Sequence, residues 1–150
     1  VPEIFIGLSY VNRWVTYKYT KFNFIGAKDG LTMINKHEIN REQVLYAVKT
    51  GEFGSDVISS KATVAVIMTQ DWCPQWHNMK GWVYGLKTEN DIDIYELIYN
   101  NTDFFDEFKN FKESQWKNHE IPYLRFYKNG RFFKETNYIG KEEFIRNIEG

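Results

Sequence analysis

Hydrophobic residues run without alternation in one place, Thr63-Val64-Ala65-Val66-Ile67-Met68. A β-branched run bounded by polar residues predicts a central strand buried on both faces. Helical spacing precedes it. Asn40 offers an N-cap with Gln43 three residues on, Val44, Leu45 and Val48 form a stripe, and Gly51 supplies a stop. Residues 52–61 read as a loop or short helical tail. Beyond the central run a helix is expected to about Leu86, with a weak or kinked point at Gly81. Ile92 to Tyr99 reads as a strand. Asp103 is expected to cap the next helix, whose Phe104, Phe108 and Phe111 share a core-facing stripe that Trp116 closes. Ile121 to Tyr127 alternates into Asn129-Gly130, a strong hairpin signal, and Phe132 to Thr136 returns. Lys141 to Glu149 closes the chain as a helix burying Phe144, Ile145 and Ile148.

The first thirty residues differ. Ile4-Phe5-Ile6 is a short apolar run, and Trp14 to Phe24 interleaves aromatic and polar residues, with Tyr17 and Tyr19 on one strand face and Phe22 and Phe24 on another. Lys28-Asp29-Gly30 signals a turn, and Leu31 to Ile34 reads as the returning strand. The order β-α-β-α-β-α-β-β-α predicts an α/β sandwich, helices covering a mixed sheet. Residues 1–30 are then a β-rich extension packed on a main domain of residues 31–150.

Composition narrows the function classes. At 43% hydrophobic and 26% charged the chain is ordinary globular protein. Its 19 basic and 20 acidic residues give a net charge of −1, and so no field to attract nucleic acid or an anionic membrane. No apolar run approaches the roughly 20 residues of a membrane span. The sequence opens at Val1 rather than Met, which with the aromatic strands leans to an exported or periplasmic protein over a cytoplasmic one.

Cys73 is the only cysteine, so no internal disulfide can form. It lies in Asp71-Trp72-Cys73-Pro74-Gln75-Trp76-His77, between the central strand and the following helix. A helix N-terminus favours thiolate over thiol, which suggests sulfur chemistry; the other reading is a small buried hydrophobe. Trp76 reads equally as a lid over the sulfur, a stacking platform or a core aromatic. Asp71 could oppose the thiolate or cap the helix. His77 could share a helix face with Cys73, but nothing places His37 or His119 beside them, and no metal site is expected.

Trp72-Cys73-Pro74 after a buried strand, Ile121-Pro122 opening another, and Phe126-Tyr127-Lys128-Asn129-Gly130 before a last helix resemble the thioredoxin family over residues 31–150. The resemblance implies that Pro122 is cis and lies beside Cys73, with the Ile121 backbone pairing with an extended substrate. Departures accompany it. Trp76 stands at the resolving-cysteine position, and Ile67 replaces the family's buried acid six residues before the nucleophile. Gly81 replaces the helix-kinking proline, and Tyr123, following Pro122, could partly fill the groove.

What the resemblance then implies is thiol-disulfide oxidoreductase or isomerase-like exchange without a resolving cysteine. Cys73 is the nucleophile, and Trp72, Pro74, Trp76, Ile121, Pro122 and Tyr123 contact substrate. Protein or peptide thiols and disulfides are the expected partners, with a small thiol or substrate thiol for release and no cofactor. The alternative is a redox-inactive peptide-binding module using the groove beside Pro122. A monothiol-glutaredoxin-like role ranks last, because that family's paired glycines reduce to Gly140 and no basic cluster near the site suits glutathione.

Overall fold

A computed structural model describes residues 30–150, so the β extension expected at the head of the chain falls outside the described residues. A two-stranded sheet pairs β1 (Thr32–Met33) antiparallel with β4 (Lys87–Thr88). The main sheet has the order β2-β5-β3-β6-β7: β2 (Asn35–Glu38), β5 (Ile92–Ile98) and β3 (Thr63–Thr69) run parallel, and β6 (Tyr123–Lys128) and β7 (Arg131–Thr136) are antiparallel. The helices are α1 (Arg41–Thr50), α2 (Ser55–Ile58), α3 (Pro74–Val83), α4 (Phe105–Ser114) and α5 (Lys141–Glu149).

The central run is buried along its whole length because each face of β3 serves a different core. Val64, Val66 and Met68 join Val44, Ala47, Val57, Phe108 and Phe111 beneath α1, α2 and α4. Ala65 and Ile67 join Trp76, Met79, Val83, Phe144 and Ile148 beneath α3 and α5. Period-2 side-chain direction produces this division, and with apolar layers on both sides alternation disappears from the sequence.

The local signals at α1 act as the residues suggest. Asn40 accepts from the Gln43 N–H, Gln43 answers the Asn40 N–H at 2.9 Å, and Gly51 ends the helix at φ 94°. In the hairpin, Asn129 and Gly130 adopt φ 51° and 74°, the left-handed pair that the Asn-Gly turn requires. Three expectations need correction. The strand expected at Leu31–Ile34 is present as Thr32–Met33 but belongs to the small sheet, and the main sheet begins at Asn35–Glu38, a polar edge strand without an apolar pattern to reveal it. The Asp103 side chain does not cap α4; the cap residue is Phe104, and Asp103 pairs with Arg41 at 2.8 Å. Helix α3 runs through Gly81 to Val83 and stops short of Leu86.

Candidate functional site

Strand β3 ends at Thr69, and a tight turn delivers the chain to α3, with the Cys73 N–H bonded to the Gln70 carbonyl at 3.2 Å. Cys73 is the N-cap of α3 and Pro74 occupies the first turn, where its missing N–H costs nothing. No side chain caps this end. The Asp71 carboxylate turns away to accept from Asn100 Nδ2 at 2.7 Å and Asn101 Nδ2 at 3.5 Å, so it is not the helix cap. His77 Nε2 lies 2.5 Å from the Asp71 carbonyl oxygen, which fixes the turn from the helix side. Among the described residues no group of three or more metal-ligating side chains converges.

Across the gap, the Ile121–Pro122 peptide is cis. The Cys73 thiol points at the Ile121 carbonyl oxygen, 3.9 Å from Sγ. Cys73 is only 3% exposed and packs with Ile67, Trp76 and Leu124. At Ile121, whose carbonyl faces the sulfur, a depression of about 480 Å3 is lined by Gln75, Glu120, Ile121, Asn137 and Tyr138. Asn78 Nδ2 donates to the Tyr138 hydroxyl, joining α3 to the segment before α5. Trp72 is 62% exposed, its indole N–H on Gln70 Oε1 at 2.7 Å.

The structure sorts the sequence-predicted site residues. Cys73, Pro74, Ile121 and Pro122 meet at one place, with Pro74 exposed and Pro122 buried, and Trp72 stands in solvent nearby. Trp76 is neither lid nor platform: at 2% exposed it is a core aromatic, edge-on to Tyr84 at 6.2 Å. Helical spacing turns a residue three positions after the N-cap inward, onto the sheet. Tyr123 does not fill the groove. Alternation along β6 sends it to the opposite face, where its hydroxyl donates to Glu135 at 2.5 Å and accepts from Arg125 at 2.8 Å.

Two buried charged groups escaped sequence reading, and the first supports the site. Lys112, 1% exposed, donates through Nζ to the carbonyls of Asn118 and Glu120 at 2.9 and 2.7 Å and to Asn118 Oδ1 at 3.2 Å. Asn137 Nδ2 then holds the Pro122 carbonyl at 3.1 Å. The loop carrying Ile121 to its place opposite the sulfur is thus tied from below by a buried ammonium.

Burial pulls Lys112 down to about 8, whereas an unfolded lysine titrates near 10.4. Between those values the unfolded chain holds more protons, so this residue makes stability rise with pH across that window. The slope is at most about 1.4 kcal/mol per pH unit. Urea midpoints for wild type minus Lys112→Met, taken from pH 7 to 10, should show that rise; a flat difference would refute it.

The second group is Arg125, which lies between Tyr123 and Tyr127 on the inward face of β6. It donates to the Tyr127 hydroxyl at 2.8 Å and to Glu52 at 2.6 Å, sandwiched between Trp116 and Phe132 at 4.3 and 4.2 Å. The alternation Tyr123, Arg125, Tyr127 was the available signal: an arginine at a core-facing position of a strand needs a buried partner.

A parallel core extended by an antiparallel hairpin, a cysteine at a helix head and a cis-proline opposite it define the thioredoxin fold. Solved structures agree. Thioredoxin F from spinach chloroplast superimposes with a TM-score of 0.55 at 16% identity, covering 80% of this chain and 94% of that one. Oxidised thioredoxin O1 from Arabidopsis thaliana gives 0.55 at 14% identity, covering 79% and 96%. Thioredoxin f2, in a crystal with ferredoxin:thioredoxin reductase, gives 0.52 at 16%, covering 80% and 96%. No family profile and no curated protein matches the chain. No helix among the described residues is long and apolar enough to cross a membrane.

Proposed function

We propose that the protein carries out thiol–disulfide exchange through Cys73 alone, on an extended protein or peptide segment lying along Ile121–Pro122. The observation that carries this reading is the position of Sγ, at the uncapped head of a ten-residue helix and 3.9 Å from the Ile121 carbonyl. A helix N-terminus in general presents unpaired N–H groups that favour negative charge.

In the first step the Cys73 thiolate attacks one sulfur of a substrate disulfide, R–S–S–R′. A Cys73–S–S–R bond forms, the substrate S–S bond breaks, and R′–S⁻ leaves. With Trp76 in place of a resolving cysteine, the mixed disulfide waits for a second thiolate. That cannot come from the same chain, whose one thiol is already engaged; it comes from the substrate or a small external thiol. Its attack forms R–S–S–R″ and returns Cys73 as thiolate, so disulfides are exchanged with no net oxidation of the protein. A solved neighbour, thioredoxin f2 in complex with ferredoxin:thioredoxin reductase, is consistent with protein partners.

A second reading, binding without exchange, is favoured by one observation, the 3% exposure of Cys73. Iodoacetamide separates the two. Exchange predicts that native Cys73 is alkylated at pH 7 at least as fast as in urea, and that Cys73→Ser abolishes trapping of a peptide disulfide. Alkylation only on unfolding would leave peptide binding as the function.

A further inference from the structure

Resting on the exchange reading, we infer that the groove beside Cys73 selects neutral or cationic peptide segments and disfavours anionic thiols, with Glu120 as the specificity-determining residue. The depression is lined by one apolar side chain, Ile121, three neutral polar ones, Gln75, Asn137 and Tyr138, and one carboxylate, Glu120. No basic side chain is among them.

The polar groups divide further. Asn137 is committed internally, to the Pro122 carbonyl and to Asn118 at 3.0 and 3.1 Å. Tyr138 accepts from Asn78, which leaves its own proton for a ligand. Glu120 is exposed, and only its backbone is engaged, the N–H on Asn118 Oδ1 at 3.1 Å. A second carboxylate, Asp71, stands two residues before the sulfur and is held by Asn100 and Asn101 rather than by a cation.

The ammonium of Lys112 is buried beneath the loop and turned to its carbonyls. It offsets part of the Glu120 charge without being open to a ligand. His119 is drawn toward Glu113, at 3.7 Å. A ligand in the depression therefore meets negative charge on one wall and neutral donors and acceptors on the other. At contact distance in water one unit of charge is worth about a factor of five in rate or affinity. A substrate sulfur flanked by lysine or arginine gains by that factor, and one flanked by carboxylates loses by it.

The test uses the whole protein and three symmetric disulfides: cystamine, 2-hydroxyethyl disulfide and dithiodiglycolic acid. Rates of mixed-disulfide formation at Cys73 are read by intact mass and normalised to the same reaction in urea, which removes the intrinsic reactivity of each probe. The expected order is cationic, neutral, anionic, with about fivefold per step at low salt and compression at high salt. Glu120→Gln should narrow the spread and Glu120→Lys invert it. Glu89→Gln should leave it intact, since Glu89 precedes the end of β5 that pairs with Thr63, remote from Cys73. Equal normalised rates in wild type, or a spread indifferent to Glu120, would overturn the charge selection while leaving exchange standing. Failure of all three probes to react with folded protein would remove the exchange reading and this inference with it.

Discussion

Replacing Trp76 by cysteine is expected to destabilise the protein by about 3–5 kcal/mol, the range for removing a large buried aromatic. On sequence alone the substitution restores a dithiol motif. In the fold it empties the interior between α3 and the sheet. Trp76 is packed with Ile67, Met79 and Val83 and meets the edge of Tyr84, whose hydroxyl donates to Glu96 at 2.5 Å. A cysteine there leaves most of the indole volume vacant, and the Tyr84 ring loses the surface it abuts. Urea unfolding followed by circular dichroism measures the loss. Wild-type stability combined with insulin reduction by the variant would show that the helix can repack around a second cysteine.

The second large effect is expected at Arg125. Arg125→Met should lower stability by about 3 kcal/mol, because it removes the buried partner of a part-buried charge pair and the hydrogen bonds it gives to two buried phenols. The side chain holds Glu52 at 2.6 Å and the hydroxyls of Tyr123 and Tyr127 at 2.8 Å, and the phenols of both tyrosines are pushed above their ordinary range, first by burial. Tyr127 also donates to Glu52 at 2.6 Å and the Phe53 N–H does so at 2.8 Å, so the carboxylate keeps two bonds when the arginine goes. The discriminating measurement is the double variant with Glu52→Gln, which removes the stranded charge and should recover part of the loss. A single variant within about 0.5 kcal/mol of wild type would mean the network contributes specificity of packing and little stability.

These two residues mark where sequence reading stops. Thr63–Met68, the Asn40 capping box and the Asn129-Gly130 turn were legible because each signal is local: a run, a cap and a left-handed pair within a few residues. Cys73 and Pro122 could be placed together only through their resemblance to a known arrangement, since 48 positions separate Cys73 from Ile121. Trp76 could not be assigned from spacing alone; three residues after the cap could mean a rim or an interior position, and the sheet packed against α3 makes it interior. Lys112 and Arg125 were missed because both break the rule that charged residues face water, and their compensating oxygens come from loop and strand positions that no periodicity brings together. Strand β2 was missed for the opposite reason. It lies at the edge, carries polar side chains and is held by backbone pairing with β5.

The division of the interior by the main sheet has a consequence for how this protein can change. Substitutions beneath α3 and α5 touch few of the atoms that support α1, α2 and α4, so their free-energy effects should add across the sheet and couple within each layer. Ile121 is the exception, since it packs against both layers. Chemistry can therefore drift on the sulfur side while the arginine side continues to hold the chain together, with one isoleucine through which either layer is felt by the other. That partition offers a physical route by which a second cysteine could be absent without loss of the fold.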